Sequence, residues 1–524
     1  MITLGGNYLQ VLDYESIFNS LLAKVWSLPG LLFFLTAALF LILDCRKPRD
    51  FPHGPFWYPI IGSALSLHRE RERRGMLWKA IESIAQRYDK QRRGIVGFKV
   101  GKDRVAFVYT SAAIKDMMSR EEIDGRPTGP FYETRTWNMR RGVLLTDEDF
   151  WMEQRRFVVR HLKEFGFARR GMVELIQQEA EFLYEDVKKM VDSGGGSILI
   201  EMQNLLNIYI LNTLWTMMAG KRYSRDNQKL KNLQRILHEL FASIDMMGAQ
   251  FSHFPFLRYI APEMSGYKQF VECHKSMHEF VQEEVEHHKL NMKMDDEPND
   301  LMDVYLRALN SPNKSDSFSE KQLLAICLDM FIAGSETTSK TLGFSILNLV
   351  RDQRVQKKMQ EEIDTVVGRE RLPKLEDRVN MPYCEAVVLE GLRFFMSNTF
   401  GIPHRALRDT TLCGYTIPKD TMVVAAFFGM CRDGDTYADP AKFEPEHFLQ
   451  NGKVTIPDQY APFGVGKRRC MGEMMARSNL FLFLTTLFQN FRIYVPDGLP
   501  PPPEDPMDGA TPSVRQYKAV ITYR

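Results

Sequence analysis

The pattern of apolar and polar residues changes along the chain, and the first clear feature is a long apolar stretch. Residues 25–43 contain no Asp, Glu, Lys or Arg. At about 1.5 Å per residue, a helix over this stretch would be roughly 28 Å long, enough to cross the apolar core of a bilayer. A cleaved signal peptide is the alternative, but residues 1–24 contain Asp13, Glu15 and Lys24 where a basic start is needed. We therefore predict an uncleaved membrane anchor at residues 25–43, with residues 1–24 on the far side of the membrane.

The segment after this stretch is rich in basic residues and proline. Arg46, Lys47 and Arg49 place the following chain in the cytosol by the positive-inside rule. Prolines at high density oppose helix formation and favour a stiff connector, and here they are Pro48, Pro52, Pro55 and Pro59. We predict a basic, proline-rich hinge over residues 44–62 and a folded domain over residues 63–524.

Helical periodicity dominates the folded domain. Residues 76–88 predict a helix, and residues 94–101 and 104–109 predict a pair of strands. Residues 150–367 show mainly helical patterns, broken by loop-like stretches at 193–197, 253–255 and 295–300. Short strands and turns return after residue 403. The fold class predicted is therefore mainly α, a large helical domain with small peripheral β-sheets.

Composition excludes several classes of protein. The 524 residues carry a formal net charge of +2, which does not favour nucleic-acid binding, and 44% of them are hydrophobic, as in a globular protein. The 7 cysteines form no C-x-x-C pair, so neither a disulfide framework nor a zinc site is indicated. The domain is expected to face a reducing compartment.

The cysteine with the most unusual surroundings is Cys470, which follows a loop containing Gly464 and Gly466. A phosphate-binding P-loop would need Gly at 461 and Ser or Thr at 468, and a dinucleotide fingerprint would need Gly at 469. The chain has Ala461, Arg468 and Arg469, so both motifs are excluded. A buried, inert core cysteine remains an alternative, since that is the commonest environment of a free thiol.

The neighbourhood of Cys470 favours a reactive thiolate. The glycines permit a tight loop whose backbone N–H groups point at one atom, and a helix is predicted to start at about residue 471. Such N–H groups and a helix N-terminus lower the pKa of a thiol. A single thiolate without further Cys or His nearby suits haem iron better than zinc.

A second candidate site lies in a long apolar helix predicted over residues 322–350. Ala333, Gly334 and Thr337 share one face of this helix, with Glu336 beside them. Gly334 leaves room beside the backbone, and an acid next to an alcohol can relay protons. The alternative is that the hydroxyl groups only bond to helix carbonyls.

Two short pairs are weaker signals. Glu390 and Arg393 have the i,i+3 spacing of an ion pair, which taken alone suggests an ordinary surface contact. Trp151 and Arg155, at i,i+4, can present an indole N–H and a guanidinium to one anion, although simple packing explains the same spacing.

Taken in this order, these residues resemble the cytochrome P450 family of haem-thiolate monooxygenases. Phe463-x-x-Gly466-x-x-x-Cys470-x-Gly472 matches the fixed positions of that family's haem-binding pattern. The other three motifs fall where the family has its C, I and K helix motifs. The resemblance extends from the apolar stretch to the C-terminus.

The resemblance implies a role for each matching residue. Cys470 would be the axial ligand of haem b, with Phe463, Gly466 and Gly472 shaping its loop. The haem propionates would be held by Arg468, Trp151, Arg155, His404 and Arg126. Ala333, Gly334, Glu336 and Thr337 would manage oxygen and protons, and Glu390 with Arg393 would be structural. The family often has Arg as the third member of that last cluster, where this chain has His447.

The resemblance also implies partners and a location. The expected electron source is an NADPH-dependent flavoprotein reductase, with cytochrome b5 as a further partner, and the expected location is the endoplasmic reticulum membrane, with residues 1–24 in the lumen. Basic residues are candidates for reductase docking, unless they bind only propionates: Arg155, Arg156, Arg160, Lys467, Arg468 and Arg469.

The substrate class follows from the branch of the family that the motifs resemble, which includes drug- and hormone-metabolising members. A small lipophilic molecule is implied, such as a steroid, ecdysteroid, sesquiterpenoid or xenobiotic. Phe131, Tyr132, Phe331 and Phe400 are expected to line an apolar pocket. A membrane-tethered haem protein that carries or senses a lipid or hormone without turnover is the alternative function.

Overall fold

The computed structural model describes residues 28–203, 205–292 and 296–524. The helices are α1 (Leu28–Asp44), α2 (Ala64–Arg74), α3 (Leu77–Tyr88), α4 (Ser111–Ser119), α5 (Pro130–Thr134), α6 (Glu148–Glu164), α7 (Arg170–Ser193), α8 (Asn207–Ala219), α9 (Gln228–Ser243), α10 (Gln250–His253), α11 (Leu257–Ile260), α12 (Tyr267–Asn291), α13 (Leu301–Leu309), α14 (Glu320–Arg351), α15 (Gln353–Val366), α16 (Pro382–Met396), α17 (Phe428–Cys431) and α18 (Glu473–Asn490). The strands are β1 (Ile95–Val100), β2 (Asp103–Val108), β3 (Ser197–Glu201), β4 (His404–Arg405), β5 (Thr410–Leu412), β6 (Tyr415–Ile417), β7 (Met422–Ala425), β8 (Leu449–Gln450), β9 (Lys453–Val454), β10 (Phe491–Tyr494) and β11 (Lys518–Tyr523).

The predicted anchor overlaps α1, whereas residues 1–24, predicted to be lumenal, and residues 25–27 lie outside the described residues. Among the residues that the structure describes, no helix combines the length and hydropathy required to span a membrane. The predicted hinge, residues 44–62, is non-helical after Asp44 and packs against β1. The Lys99 ammonium lies 2.5 Å from the Asp44 carboxylate, and the backbone N–H of Ile60 donates to the same carboxylate at 2.7 Å.

A small sheet follows the hinge, in the strand order β1-β2-β7-β4. The strands β1 and β2 form the antiparallel pair that the sequence predicts, β7 runs parallel to β2, and β4 closes the edge. The helix predicted at residues 76–88 is α3, displaced by one residue at its start. This sheet brings β4, and hence His404, next to the centre of the molecule.

The centre of the fold is α14, which has 32 residues and an N-cap in which the Ser319 side chain accepts from the backbone N–H of Gln322. Apolar side chains cover nearly its whole circumference, so the helix must be buried on all sides. It packs against α8, α12, α16 and α18 within the largest hydrophobic core. The prediction of a long apolar helix here is confirmed.

Two smaller sheet types complete the fold. Strands β10, β11 and β3 form an antiparallel sheet beside α18, and β5–β6 and β8–β9 are hairpins. The prediction of a mainly α fold with small peripheral sheets is therefore confirmed.

Candidate active site

The main cavity, of about 330 Å³, lies between α14 and the loop that precedes α18. Side chains or backbone from α6, α14, α16, β4 and this loop form its wall. The structure brings most of the predicted site residues to this wall: Arg126, Trp151, Arg155, Ala333, Gly334, Thr337, His404, Phe463, Arg468, Cys470 and Gly472.

The loop before Cys470 is tight because two glycines adopt left-handed backbone conformations. Gly464 has φ 71° and Gly466 has φ 73°. The chain turns so that the backbone N–H of Cys470 donates to the carbonyl of Phe463 at 2.9 Å. Gly466 itself does not line the main cavity. A Cβ atom there would lie 2.3 Å from the Met118 carbonyl oxygen, so Gly466 allows the loop to pack against the end of α4.

The Cys470 side chain lines the main cavity and is accessible from it. Burial beneath the surrounding protein raises the pKa of its thiol, although the backbone N–H of Gly472 acts to lower it. The predicted effect of the backbone N–H groups therefore has the expected sign, but the desolvation cost is larger and the net change in the pKa is upward. Cys470 is not the inert core cysteine of the alternative interpretation.

Arg126 lies at one end of the main cavity, and its side chain is buried there. Its Nη1 donates to the carbonyls of Ile402 and Pro403, each at 3.0 Å, while its Nε is buried without a hydrogen-bond partner among the described residues. Burial and then the positive charge of Arg468 lower the pKa of Arg126 to about 9. A buried guanidinium in this state favours an anion beside it.

Three further basic groups surround this end of the cavity. The Arg468 guanidinium stacks over Trp151 at 3.7 Å and bonds to Asp124, while Arg155 donates to the carbonyl of Arg469 at 2.6 Å. The Nδ1 of His404 bonds to the Ile123 carbonyl, and burial, followed by the charge of Arg126, lowers the pKa of His404 far below its usual range. Arg126, Arg155 and Arg468 therefore concentrate positive charge at this end of the cavity.

The opposite wall of the cavity is the middle of α14. Ala333, Gly334 and Thr337 line the wall together, as their spacing predicts. A Cβ atom on Gly334 would lie 2.3 Å from Leu214, so part of the room beside Gly334 is filled by α8. The Thr337 hydroxyl donates to the Ala333 carbonyl at 2.8 Å, which is the back-bonding of the alternative interpretation, yet its side chain faces the open cavity.

Glu336 does not line the main cavity. Its carboxylate lies 2.9 Å from the ammonium of Lys340, and both side chains are only 8% exposed. The two residues line a second cavity, of about 40 Å³. The predicted acid and alcohol are thus adjacent in the chain but face different cavities.

The Glu390–Arg393 pair is fully buried, so the suggestion of a surface contact is wrong. Arg393 makes two bonds of 2.7 Å to Glu390, and its remaining donors reach carbonyls in the segment before the cysteine loop: Cys431, Pro440 and Lys442. His447 contacts Glu390 through Nδ1 at 3.2 Å and the Ala438 carbonyl through Nε2 at 2.5 Å. Both partners are acceptors, which requires an imidazolium. Burial opposes this charge, but the bonds to Glu390 and Ala438 outweigh it and raise the pKa of His447.

Sequence reasoning missed a buried ion pair at the edge of the main cavity. Asp329, on α14, pairs with Arg135 and accepts from the backbone N–H groups of Val143 at 2.6 Å and Leu144 at 2.9 Å. It fixes the loop before α6 against α14. The sequence does contain a signal for this buried pair. Asp329 is a carboxylate within the mostly apolar helix predicted over residues 322–350, one turn before Ala333.

The rest of the wall is largely apolar, with side chains that include Val143, Leu144, Leu214, Met246, Met330, Phe395, Phe400 and Phe427. Phe400 lines the cavity as predicted. Phe331 instead packs against Trp215 and Phe280 in the core, and the Tyr132 hydroxyl bonds to the Met247 carbonyl. Aromatic residues near the site therefore serve mainly the core.

Comparison with known proteins agrees with this fold and site. The family model for cytochrome P450 matches residues 52–519, so the chain belongs to the cytochrome P450 family. A probable cytochrome P450 303a1 of Drosophila melanogaster is 50% identical over 94% of this chain and 98% of its own length. The farnesoate epoxidase of Bombyx mori is 35% identical over 93% of this chain and 97% of its own. Cytochrome P450 2J3 of Rattus norvegicus is 31% identical over 91% of this chain and 93% of its own length.

Family membership defines the protein as an oxidoreductase, a haem-thiolate monooxygenase that uses O₂ and receives electrons from NADPH through a reductase. The residues of the main cavity fit a haem. One wall offers a single accessible thiol, and the basic cluster at one end, with the unpartnered Nε of Arg126, suits a group that carries carboxylates.

Proposed function

We propose that the protein inserts one oxygen atom from O₂ into a small lipophilic substrate, by hydroxylation or epoxidation, in the main cavity. The observation that carries the proposal is that the Cys470 thiol and the Thr337 hydroxyl line the same, largely apolar cavity. Family membership favours this enzymatic role over a carrier or sensor without turnover.

In this proposal the haem is bound by the residues already described. Cys470 would provide the thiolate ligand, with Phe463, Gly466 and Gly472 shaping its loop. The side chains that hold the propionates are Arg126, Trp151, Arg155, His404 and Arg468. The bound haem supplies oxygen activation, and a thiolate ligand increases its electron density.

The middle of α14 manages protons on the opposite wall. The Thr337 hydroxyl already donates to the Ala333 carbonyl, so its oxygen remains free to accept a hydrogen bond from the cavity side. Ala333 and Gly334 place no bulky side chain on this part of the cavity wall, which leaves space in the cavity for oxygen and substrate. Glu336 is the acid that resupplies the proton, although it must first leave its ion pair with Lys340.

The apolar wall excludes water and favours a lipophilic substrate. Of the classes considered, a sesquiterpenoid has specific support, because the relative from Bombyx mori is named for epoxidation of farnesoate. Steroids, ecdysteroids and xenobiotics remain candidates on the apolar lining alone.

The proposed location is the endoplasmic reticulum membrane, with the anchor at residues 25–43 and the catalytic domain in the cytosol. The exposed face near the cysteine loop would dock the flavoprotein reductase, and cytochrome b5 is a further candidate partner. Arg160, Lys467 and Arg469 have side chains 77%, 56% and 61% exposed and belong to this face, whereas the side chain of Arg468 is 4% exposed and serves the cavity.

Spectral titration of the haem-loaded protein tests the proposed function. We would add a sesquiterpenoid acid, a steroid, an ecdysteroid, a fatty acid and planar xenobiotics in turn, and follow the Soret band. We expect a saturable shift with one class, followed by product that carries label from labelled O₂ in the presence of NADPH and reductase. A haem-loaded protein that consumes no NADPH and forms no product from any class, lipid extracts included, would contradict the proposal.

A further inference from the structure

The second cavity lies beside the main cavity, separated from it by α14. Glu336, Ser339, Lys340 and Gly343 of this helix line the second cavity, together with His238 of α9 and residues of the C-terminal segment: Ser513, Val514 and Tyr517. A volume of about 40 Å³ is enough for one or a few water molecules, and the wall offers the polar partners that buried water requires.

Lys340 holds Glu336 in this second cavity. The two side chains are 8% exposed, so each charge needs the other for compensation. Although the ammonium lies 2.9 Å from Oε2 of Glu336, that oxygen has no hydrogen-bond partner among the described residues. The contact is therefore an ion pair alone, which restrains the carboxylate less than a hydrogen-bonded pair would.

The hydrogen bonds of Lys340 go to a different element. Its ammonium donates to the hydroxyl of Thr511 at 2.7 Å and to the carbonyl of Thr511 at 3.2 Å. Thr511 also lines the main cavity. The loop that carries Thr511 is closed by reciprocal backbone bonds between Met507 and Ser513, and it is fastened to α9 through Ala510 and Phe241. Thr511 therefore links the substrate side of the molecule to Lys340.

His238 completes the second cavity. It is partly buried, and burial, followed by the positive charge of Lys340, lowers the pKa of His238. The ring is consequently neutral near pH 7, with one nitrogen able to accept a proton and the other able to donate one. Such a group can pass protons between solvent and water in the cavity.

We propose that Lys340 is a positioning residue that couples substrate occupancy to proton supply. It retains Glu336 in the second cavity while the main cavity is unfilled, and contact between substrate and Thr511 loosens Lys340 and frees Glu336 to turn towards Thr337. The freed carboxylate takes up a proton from water in the second cavity, and Glu336 then passes this proton to the Thr337 hydroxyl, which passes its own to the reacting oxygen. Both side chains end in the protonation states in which they began, so neither residue is consumed. This inference rests on the proposed function of the main cavity.

The first test uses infrared spectroscopy on the substrate-free holoenzyme and requires no turnover. In Lys340→Met the Glu336 carboxyl loses its counter-charge, so we expect a protonated-carboxyl C=O band that is absent from the wild type. The band should disappear in Lys340→Met/Glu336→Gln, and Lys340→Arg should restore the wild-type spectrum. A Lys340→Met spectrum identical to that of the wild type would overturn the assignment.

The second test asks whether the main cavity communicates with Glu336. Phenylimidazole, which ligates haem iron and occupies the cavity, should shift the Glu336 carboxylate band in the wild type. Thr511→Val, which removes the 2.7 Å hydrogen bond, should abolish that shift while haem content is unchanged. An equal shift in Thr511→Val and the wild type would eliminate Thr511 as the link.

The third test measures product formed per NADPH with a substrate found by spectral titration. We expect roughly a tenfold fall in this ratio for Lys340→Met, with the lost electrons appearing as hydrogen peroxide, and recovery in Lys340→Arg. If Lys340→Met keeps the wild-type ratio of product to NADPH, the positioning role of Lys340 is refuted but the proposed function is not. A wild type that consumes no NADPH would instead refute the proposed function, and the infrared results would still decide whether Lys340 holds Glu336.

Discussion

At the scale of single residues, the buried guanidinium of Arg126 distinguishes one end of the main cavity. Arg126 is 5% exposed, its Nε has no hydrogen-bond partner within the described part of the chain, and burial together with Arg468 lowers its pKa to about 9. If it binds a haem propionate, Arg126→Met should weaken haem retention by about 1.5–3 kcal/mol, roughly 10- to 100-fold in affinity. The measurement is the rate of haem transfer to an acceptor apoprotein.

The control for this prediction is Arg170→Met, which removes a side chain 92% exposed at the start of α7. We expect its haem transfer rate to equal that of the wild type. Identical rates for Arg126→Met and Arg170→Met would remove Arg126 from the haem site.

Single residues also show the limit of prediction from sequence. The sequence predicts Cys470 and Thr337 as site residues, because each lies at a fixed spacing from the other residues of its motif. Lys340 gave no such signal, since a Lys four residues after a Glu is usually a surface pair. Only the packing of the C-terminal loop against α14 buries it and connects it to Thr511.

At the scale of secondary-structure elements, the Glu390–Arg393 pair fastens α16 to the segment before the cysteine loop. Removing one partner of a buried ion pair leaves the other charge uncompensated. We expect Arg393→Met to destabilise the holoenzyme by about 3–5 kcal/mol, and Arg369→Met, at a surface pair 44% and 36% exposed, to cost at most about 1 kcal/mol. Urea unfolding followed by fluorescence compares them, and similar losses in the two variants would contradict this role.

A second pair joins α12 to α13. The Nε2 of His288 lies 2.9 Å from the Asp300 carboxylate. Burial disfavours the imidazolium, but the hydrogen bond and charge of Asp300 outweigh it and raise the pKa of His288 to about 9. Because this pKa lies above the unfolded value of about 6.5, the pair stabilises the fold fully below that pH and loses its effect as pH rises through about 9.

The corresponding prediction compares the wild type with His288→Gln. We expect a stability advantage of roughly 1.5–3 kcal/mol for the wild type near pH 6, which shrinks towards zero above pH ~9.5. Thermal unfolding midpoints across this pH range provide the measurement. A difference that is constant with pH would show that the imidazolium charge does not contribute.

Elements differ in how well the sequence predicts them. Helix α14 and strands β1 and β2 can be predicted, because the periodicity of apolar residues within each segment indicates its secondary structure. The burial of Glu390 and Arg393 does not follow from local periodicity. It depends on a segment about 40 residues further along the chain, whose carbonyls, including that of Cys431, accept hydrogen bonds from Arg393. The turning of Phe331 away from the main cavity likewise depends on Trp215 of another helix.

At the scale of the whole molecule, the basic residues on and near the wall of the main cavity divide into two sets. Arg126, Arg468 and His404 face inward, while Arg156 and Arg160 lie on the surface of α6. If that surface docks the reductase, Arg156→Glu/Arg160→Glu should slow electron transfer roughly tenfold at low salt, with the difference narrowing as salt screens the charges. Stopped-flow reduction of the haem measures this rate.

Lys231→Glu, at a half-exposed position of α9, is the matched control for the docking surface. It changes the net charge per site in the same way but lies on another element. An equally large effect from this variant would show that net charge, and not the α6 surface, controls the encounter.

The assignment of Cys470 as the haem ligand in the main cavity can be tested with the reduced carbon monoxide complex. Its Soret band reports the axial ligand, so we would compare the wild type, Cys470→Ser and the half-buried Cys413→Ser. We predict a thiolate-type spectrum for the wild type and Cys413→Ser, and its complete loss in Cys470→Ser. A thiolate-type spectrum that survives in Cys470→Ser would contradict the assignment and the site built on it.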